Sequence, residues 1–150
     1  MLRFLVALLA LAFIVAAGAS CAPVDEVAIR PLMPEVRYAG HEEMAALSCP
    51  GDEKACGGLQ AVYDTRNRVV YLRRGFDPSD PVDAATLLHE FVHHVQVLSG
   101  REFECPQARE KEAYAVQRAY LAASGVGDPL KVMGVNELFL LTVTSCQVLP

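Results

Sequence analysis

Positive charge is scarce in this sequence. Thirteen Lys and Arg face 18 Asp and Glu over 150 residues, for a net charge of −5. A protein that grips nucleic acid through its phosphates needs a basic stripe, and the sequence has none, so nucleic acid is excluded as a partner. Long apolar runs are scarce too. The longest, Phe4 to Ala17, has 14 residues, short of the about 20 that a membrane-spanning helix needs. No C-x-x-C spacing occurs among the five cysteines, which argues against a thiolate zinc site. No internal repeat or low-complexity tract is present, so solenoids and disordered tails are also excluded. What remains is the length of one domain. It is large enough to bury roughly two-thirds of its unfolded surface, and so to fold without a metal.

Residues 1–20 hold 17 apolar residues and a single charged side chain, Arg3. A positive start, a short apolar run and the small residues Ala17-Gly18-Ala19 have the form of a signal peptide with cleavage after Ala19. Gly18-Ala19-Ser20-Cys21 also resembles a bacterial lipoprotein box, with Gly18 standing where that box prefers Leu; in that reading Cys21 carries lipid and ties the protein to a membrane. Lipid on Cys21 leaves Cys49, Cys56, Cys105 and Cys146, an even number, as an exported protein favours. Three pairings are open. Cys49 and Cys56 bracket the turn-rich stretch 50–55, which favours a local bridge and leaves Cys105 to pair with Cys146. The expected location is therefore the bacterial periplasm, with 1–20 as signal peptide, the proline-bearing stretch 21–34 as tether and 35–150 as one domain.

Within that domain, Glu42 to Leu47 reads as a short helix. Two β-rich runs, 59–64 and 68–72, flank Thr65-Arg66-Asn67 and predict a hairpin. Asp80 as N-cap, Pro81 at the first helical position and Gly100 as stop bracket a helix over about 81–99, with Leu87, Leu88, Phe91, Val92, Val95 and Leu98 at helical spacing. A second helix runs from Pro106 to about Ser124. Asp128-Pro129 opens a short third, and Asn136 caps a last one reaching about Ser145. The fold class is α+β.

The helix over 81–99 carries His89-Glu90-Phe91-Val92-His93, an H-E-x-x-H motif. Residues four apart share a helix face about 6 Å apart along the axis, so two imidazoles there can grip one ion. Glu90 lies about 100° round the helix and reaches the water that such an ion activates, not the ion itself. Neutral imidazole suits zinc, and zinc lowers the pKa of its water to about 7. Glu90 is then the general base that takes the proton and passes it to the leaving amine.

This segment resembles the active-site helix of zincin metallopeptidases. The metzincin branch requires H-E-x-x-H-x-x-G-x-x-H; here Gln96 replaces the Gly and Ser99 the third His. The gluzincin branch takes its third ligand from a Glu on a later helix, and the stretch from Glu112 to Gln117 is similar to that element. Residues 59–122 also resemble an uncharacterised bacterial group of exported zinc peptidases. The resemblance implies a small zincin-like domain: a hairpin or small sheet packed on the motif helix, with further helices C-terminal to it. It implies one Zn2+ per chain, held by His89, His93 and Glu112, and a peptide or protein substrate.

Glu110 competes for the third position, since it and Glu112 point about 200° apart on a helix. Small Ala108, Ala115 and Ala119 near the Glu112 side favour Glu112. Gln96, on the metal face, either orients a ligand or does nothing; His94 either serves behind the ligands or is exposed; and Tyr114 packs in the interior by default, with a hydrogen bond to a developing oxyanion as its alternative role. His41 is expected at the surface. By the same resemblance, the strand 61–64 is expected to hold an extended substrate by β-addition. A rival reading keeps the fold but not the turnover: an envelope binding or assembly module.

Overall fold

The computed structural model describes residues 32–52 and 56–146. The expected signal peptide 1–20, Cys21 and most of the expected tether lie outside these residues. The described elements are β1 (Glu35–Ala39), α1 (His41–Ser48), β2 (Ala61–Asp64), β3 (Val69–Arg73), α2 (Pro81–Leu98), α3 (Ala108–Ala123), α4 (Pro129–Met133) and α5 (Glu137–Thr144). They form a small α+β fold.

The hairpin forms where the sequence places it. The Asp64 carboxylate accepts from the backbone N–H groups of Arg66 (2.9 Å) and Asn67 (3.2 Å), which closes the turn. Arg68 takes a left-handed φ of 58° to re-enter β3. β2 and β3 pair antiparallel, with Tyr63 opposite Val70. The sequence reading assigns no strand to 35–39, yet β1 pairs in parallel with β3, Val36 opposite Val70, giving the order β1-β3-β2. Only Ala39 of β1 is fully buried, so the strand leaves almost no hydrophobic alternation. It exists through its pairing with a strand more than 30 residues away, which no local pattern reveals.

The sheet is covered on both faces, with side chains alternating between them. Ala61, Tyr63, Val70 and Leu72 face α2 and meet Leu87 and Phe91, with Met33 packed alongside. Val62, Val69 and Tyr71 face the other way, with Ala39 of β1, onto Met44 of α1. Burying Leu87, Leu88 and Phe91 supplies roughly 1.5–3 kcal/mol per side chain.

α2 starts and stops where the sequence indicates. The Asp80 side chain accepts from the N–H groups of Val82 (2.8 Å) and Asp83 (3.1 Å), with Pro81 behind it. Gly100, at φ 62°, turns the chain out. Asp83, buried in the first turn, holds Arg73 of β3 through both oxygens (2.8 and 2.9 Å) and caps the Asp77 N–H (2.7 Å). This locks the start of the motif helix to the sheet. On its opposite side Ala84 and Leu88 pack against Val116 and Tyr120 of α3.

Both favoured cysteine pairings are present: Cys49–Cys56 and Cys105–Cys146. The second ties the end of α5 to the entrance of α3. Among the described residues, no helix is long and apolar enough to cross a membrane. Disulfides form and persist in oxidising compartments, which suits an exported protein.

Candidate metal centre

His89 and His93 occupy one face of α2, one turn apart, and their Nε2 atoms lie 3.2 Å from each other. The ligand atoms of His89, His93 and Glu110 all fall within 4.8 Å of one another. One Glu110 oxygen stands 3.2 Å from His89 Nε2 and the other 3.3 Å from His93 Nε2. The acid that α3 turns toward the histidines is therefore Glu110, in place of the expected Glu112. Its partners are set by helix phase. Ala113, Gln117 and Leu121 are the buried residues of α3, and Glu110 lies three residues before Ala113 on that same stripe. Ala115, taken from the sequence as part of a close-packing face, is exposed; Ala113 is the alanine in the helix–helix contact. Glu112 sits on the outer flank and bonds Arg101 (2.6 Å) and Gln96 (3.0 Å).

The outward ring nitrogens each meet a glutamine amide oxygen. His93 Nδ1–H donates to Gln96 Oε1 (3.0 Å), and His89 Nδ1–H donates to Gln117 Oε1 (3.1 Å). A glutamine carbonyl only accepts, so each Nδ1 carries a proton, and in the neutral ring each Nε2 presents a lone pair. Gln96, for which the sequence leaves open either orienting a ligand or no role, bonds the His93 ring. Gln117 was not singled out; the signal for it was the spacing Glu110, Ala113, Gln117 along one helical stripe.

The electrostatics follow from this convergence. Burial would push the Glu110 carboxyl up, but hydrogen bonds and charge from His89 and His93 bring it from 4.5 down to about 2. Burial works against a charged His93, yet the Glu110 carboxylate outweighs it and raises the His93 pKa above 6.5. Glu90 is buried next to this group, on the strand side. Its carboxyl is raised by burial, opposed by the nearby His89 and His93 and, less, by the Tyr63 backbone N–H of β2.

His94 turns away from the centre. Its Nε2–H donates to the Leu32 carbonyl (2.7 Å) and its Nδ1 accepts from the Tyr63 hydroxyl (2.9 Å), so it clasps the N-terminal segment to β2. Tyr114 packs edge-on against His89, with ring centroids 4.7 Å apart. Burial, reinforced by Glu110 and Glu90, raises its pKa and keeps the hydroxyl protonated. His41 is exposed, as expected.

A cleft of about 770 Å³ opens onto His89, Glu90 and Tyr114. One wall is the segment 57–61 leading into β2, an edge strand of the sheet; the other includes Val132, Val135 and Phe139 of the α4–α5 region.

The residues present fit zinc. Nitrogen and oxygen ligands bond zinc at about 2.0–2.2 Å in tetrahedral geometry, which separates neighbouring ligand atoms by roughly 3.3 Å. The two Nε2 atoms lie 3.2 Å apart, the length of such an edge, and each faces its own Glu110 oxygen, at 3.2 and 3.3 Å. Two neutral imidazoles and one carboxylate are a donor set that zinc favours.

A family model described as "Domain of unknown function (DUF6647)" matches residues 22–148. No curated protein and no solved structure matches the chain.

Proposed function

The chain belongs to the DUF6647 family, and we propose that it is an exported zinc-dependent metallopeptidase that hydrolyses peptide bonds. The observation that carries this reading is the convergence of His89, His93 and Glu110, whose ligand atoms lie within 4.8 Å of one another, with buried Glu90 beside them. Two lone-pair nitrogens and a carboxylate in such proximity repel one another unless a cation or a proton joins them. Two glutamines hold the rings in the tautomer that favours the cation.

Zinc, when bound, supplies a Lewis acid that activates water and polarises a carbonyl. Three protein ligands leave a coordination position open, the pattern of catalytic rather than structural sites. Glu90 takes a proton at its carboxylate and returns it to the leaving amine. Its raised pKa brings it closer to the operating pH, where a general base works best. Tyr114 keeps its O–H and serves as donor to the oxyanion. The substrate is an extended peptide or protein segment lying in the cleft along residues 57–61. The protein works in the bacterial periplasm, held at the membrane by lipid on Cys21.

An unbiased peptide library, assayed on zinc-loaded wild type and Glu90→Gln, tests the activity. Cleavage by the wild type and its loss in a variant that keeps zinc supports the reading. Stoichiometric zinc with no cleavage of any peptide refutes it and favours a binding or assembly module instead.

A further inference from the structure

Gln96 is an amide, and an amide rotated by 180° exchanges its acceptor for its donor. In the observed orientation Oε1 accepts from His93 Nδ1–H. In the reversed one, Nε2–H would face His93 Nδ1 and drive the ring's proton to Nε2, where it blocks metal ligation. Two acceptors prevent the reversal. Gln96 Nε2 donates to the Arg109 carbonyl (3.0 Å) and to Glu112 Oε2 (3.0 Å). Glu112 Oε2 is itself held by Arg101 Nη2 at 2.6 Å, and the Arg101 guanidinium lies over the Phe103 ring, 4.4 Å from its centroid. The pair is half-exposed, at 51% for Arg101 and 46% for Glu112, whereas Gln96 is buried. A line of hydrogen bonds thus runs from the surface, through Glu112 and Gln96, to one histidine of the centre.

We infer that Glu112 and Arg101 are positioning residues: they fix the Gln96 amide, and through it the tautomer in which His93 meets zinc. The inference rests on the reading of His89, His93 and Glu110 as zinc ligands. It assigns Glu112 a role behind His93 in place of the ligand role that the sequence suggested. The effect is graded, because the Arg109 carbonyl still opposes reversal when Glu112 is lost. Partners of this kind typically set metal affinity by 10–100-fold.

Four proteins test it: wild type, Glu112→Ala, Glu112→Gln and Gln96→Leu. The first readout is the ring 15N shifts of His93 in metal-free protein, at a pH where the ring is neutral. The second is zinc affinity by competition with a chromophoric chelator. Wild type is expected to hold a larger share of the Nδ1–H tautomer than Glu112→Ala, with Glu110, 3.3 Å from Nε2, drawing the remainder of the proton to that side. Glu112→Ala is expected to mix the tautomers further and bind zinc about 10-fold more weakly, and Gln96→Leu up to about 100-fold more weakly. Glu112→Gln keeps an acceptor for Gln96 and is expected to stay close to wild type. Glu112→Ala matching wild type in both readouts would overturn the inference. So would loss of zinc in Glu112→Ala as complete as in Glu110→Ala, which would make Glu112 a ligand. A wild type that binds no zinc would end the reading beneath it, while the tautomer ratio, measured without metal, would still decide the relay.

Discussion

Glu110→Ala separates what the carboxylate does for the metal-free fold from what it does for zinc, because the two have opposite pH dependence. In metal-free protein the Glu110 carboxyl falls from 4.5 to about 2. At 1.36 kcal/mol per tenfold change in proton affinity, this amounts to about 3 kcal/mol. A depressed carboxyl stabilises the fold above its unfolded pKa, and that contribution is lost as pH falls from about 4.5 toward 2. His93 is shifted the other way. Its raised pKa stabilises the fold below 6.5, and the contribution fades as pH rises through the folded value. Both contributions are present together between about pH 4.5 and 6.5. In EDTA, Glu110→Ala should therefore cost most near pH 5.5, where both contributions are present, up to about 3 kcal/mol or about 10 °C in Tm, and less near pH 9, where only the carboxyl's own contribution remains. With zinc the order reverses. Ligation needs neutral imidazoles, so the stabilisation zinc gives wild type should grow from pH 5.5 to pH 8, while the variant gains much less. Thermal melts followed by circular dichroism, with EDTA or zinc at three pH values, measure both. A metal-free difference that is flat across pH would refute the ion-pair argument. Equal stabilisation of both proteins by zinc would refute Glu110 as a ligand.

Glu90→Gln should keep about one zinc per chain and lose 10²–10⁴-fold in hydrolysis, checked by metal analysis and peptide cleavage on one preparation. His94→Leu, which breaks the bonds to Leu32 and Tyr63, should cost about 1–3 kcal/mol in urea unfolding and leave zinc affinity within twofold of wild type. Replacing Cys105 and Cys146 by Ser opens a link spanning 41 residues. The chain-entropy estimate is about 4 kcal/mol, read as a lower Tm in zinc-free buffer. Intact-mass measurement of membrane-extracted protein should find a chain beginning at an acylated Cys21; an unmodified chain beginning at Ser20 would exclude the lipid while leaving export in place.

Helix α2 was legible to within a residue at its C-terminus because its signals are local. Asp80, Pro81 and Gly100 act on the backbone within a turn of themselves, and the apolar spacing follows the 3.6-residue period. The same locality fixes His89 and His93 on one face, with Glu90 beside it. The hairpin and the short Cys49–Cys56 bridge are also properties of neighbouring residues, and the remaining bridge follows by parity. β1 is different, since its five residues carry almost no pattern and become a strand by pairing with β3. The choice between Glu110 and Glu112 is different again. Two acids about 200° apart on one helix are equivalent in sequence until the helix is rotated against its neighbour. That rotation is set by Ala113, Gln117 and Leu121 burying against the rest of the domain, a packing among distant segments. It turns Glu110 inward to the histidines and leaves Glu112 to Arg101 and Gln96. The sequence by itself determined that His89 and His93 share one face of α2, with Glu90 beside it. Only the tertiary structure decided which acid completes it and which amides orient its rings, because those depend on how two helices, each regular on its own, come to rest against each other.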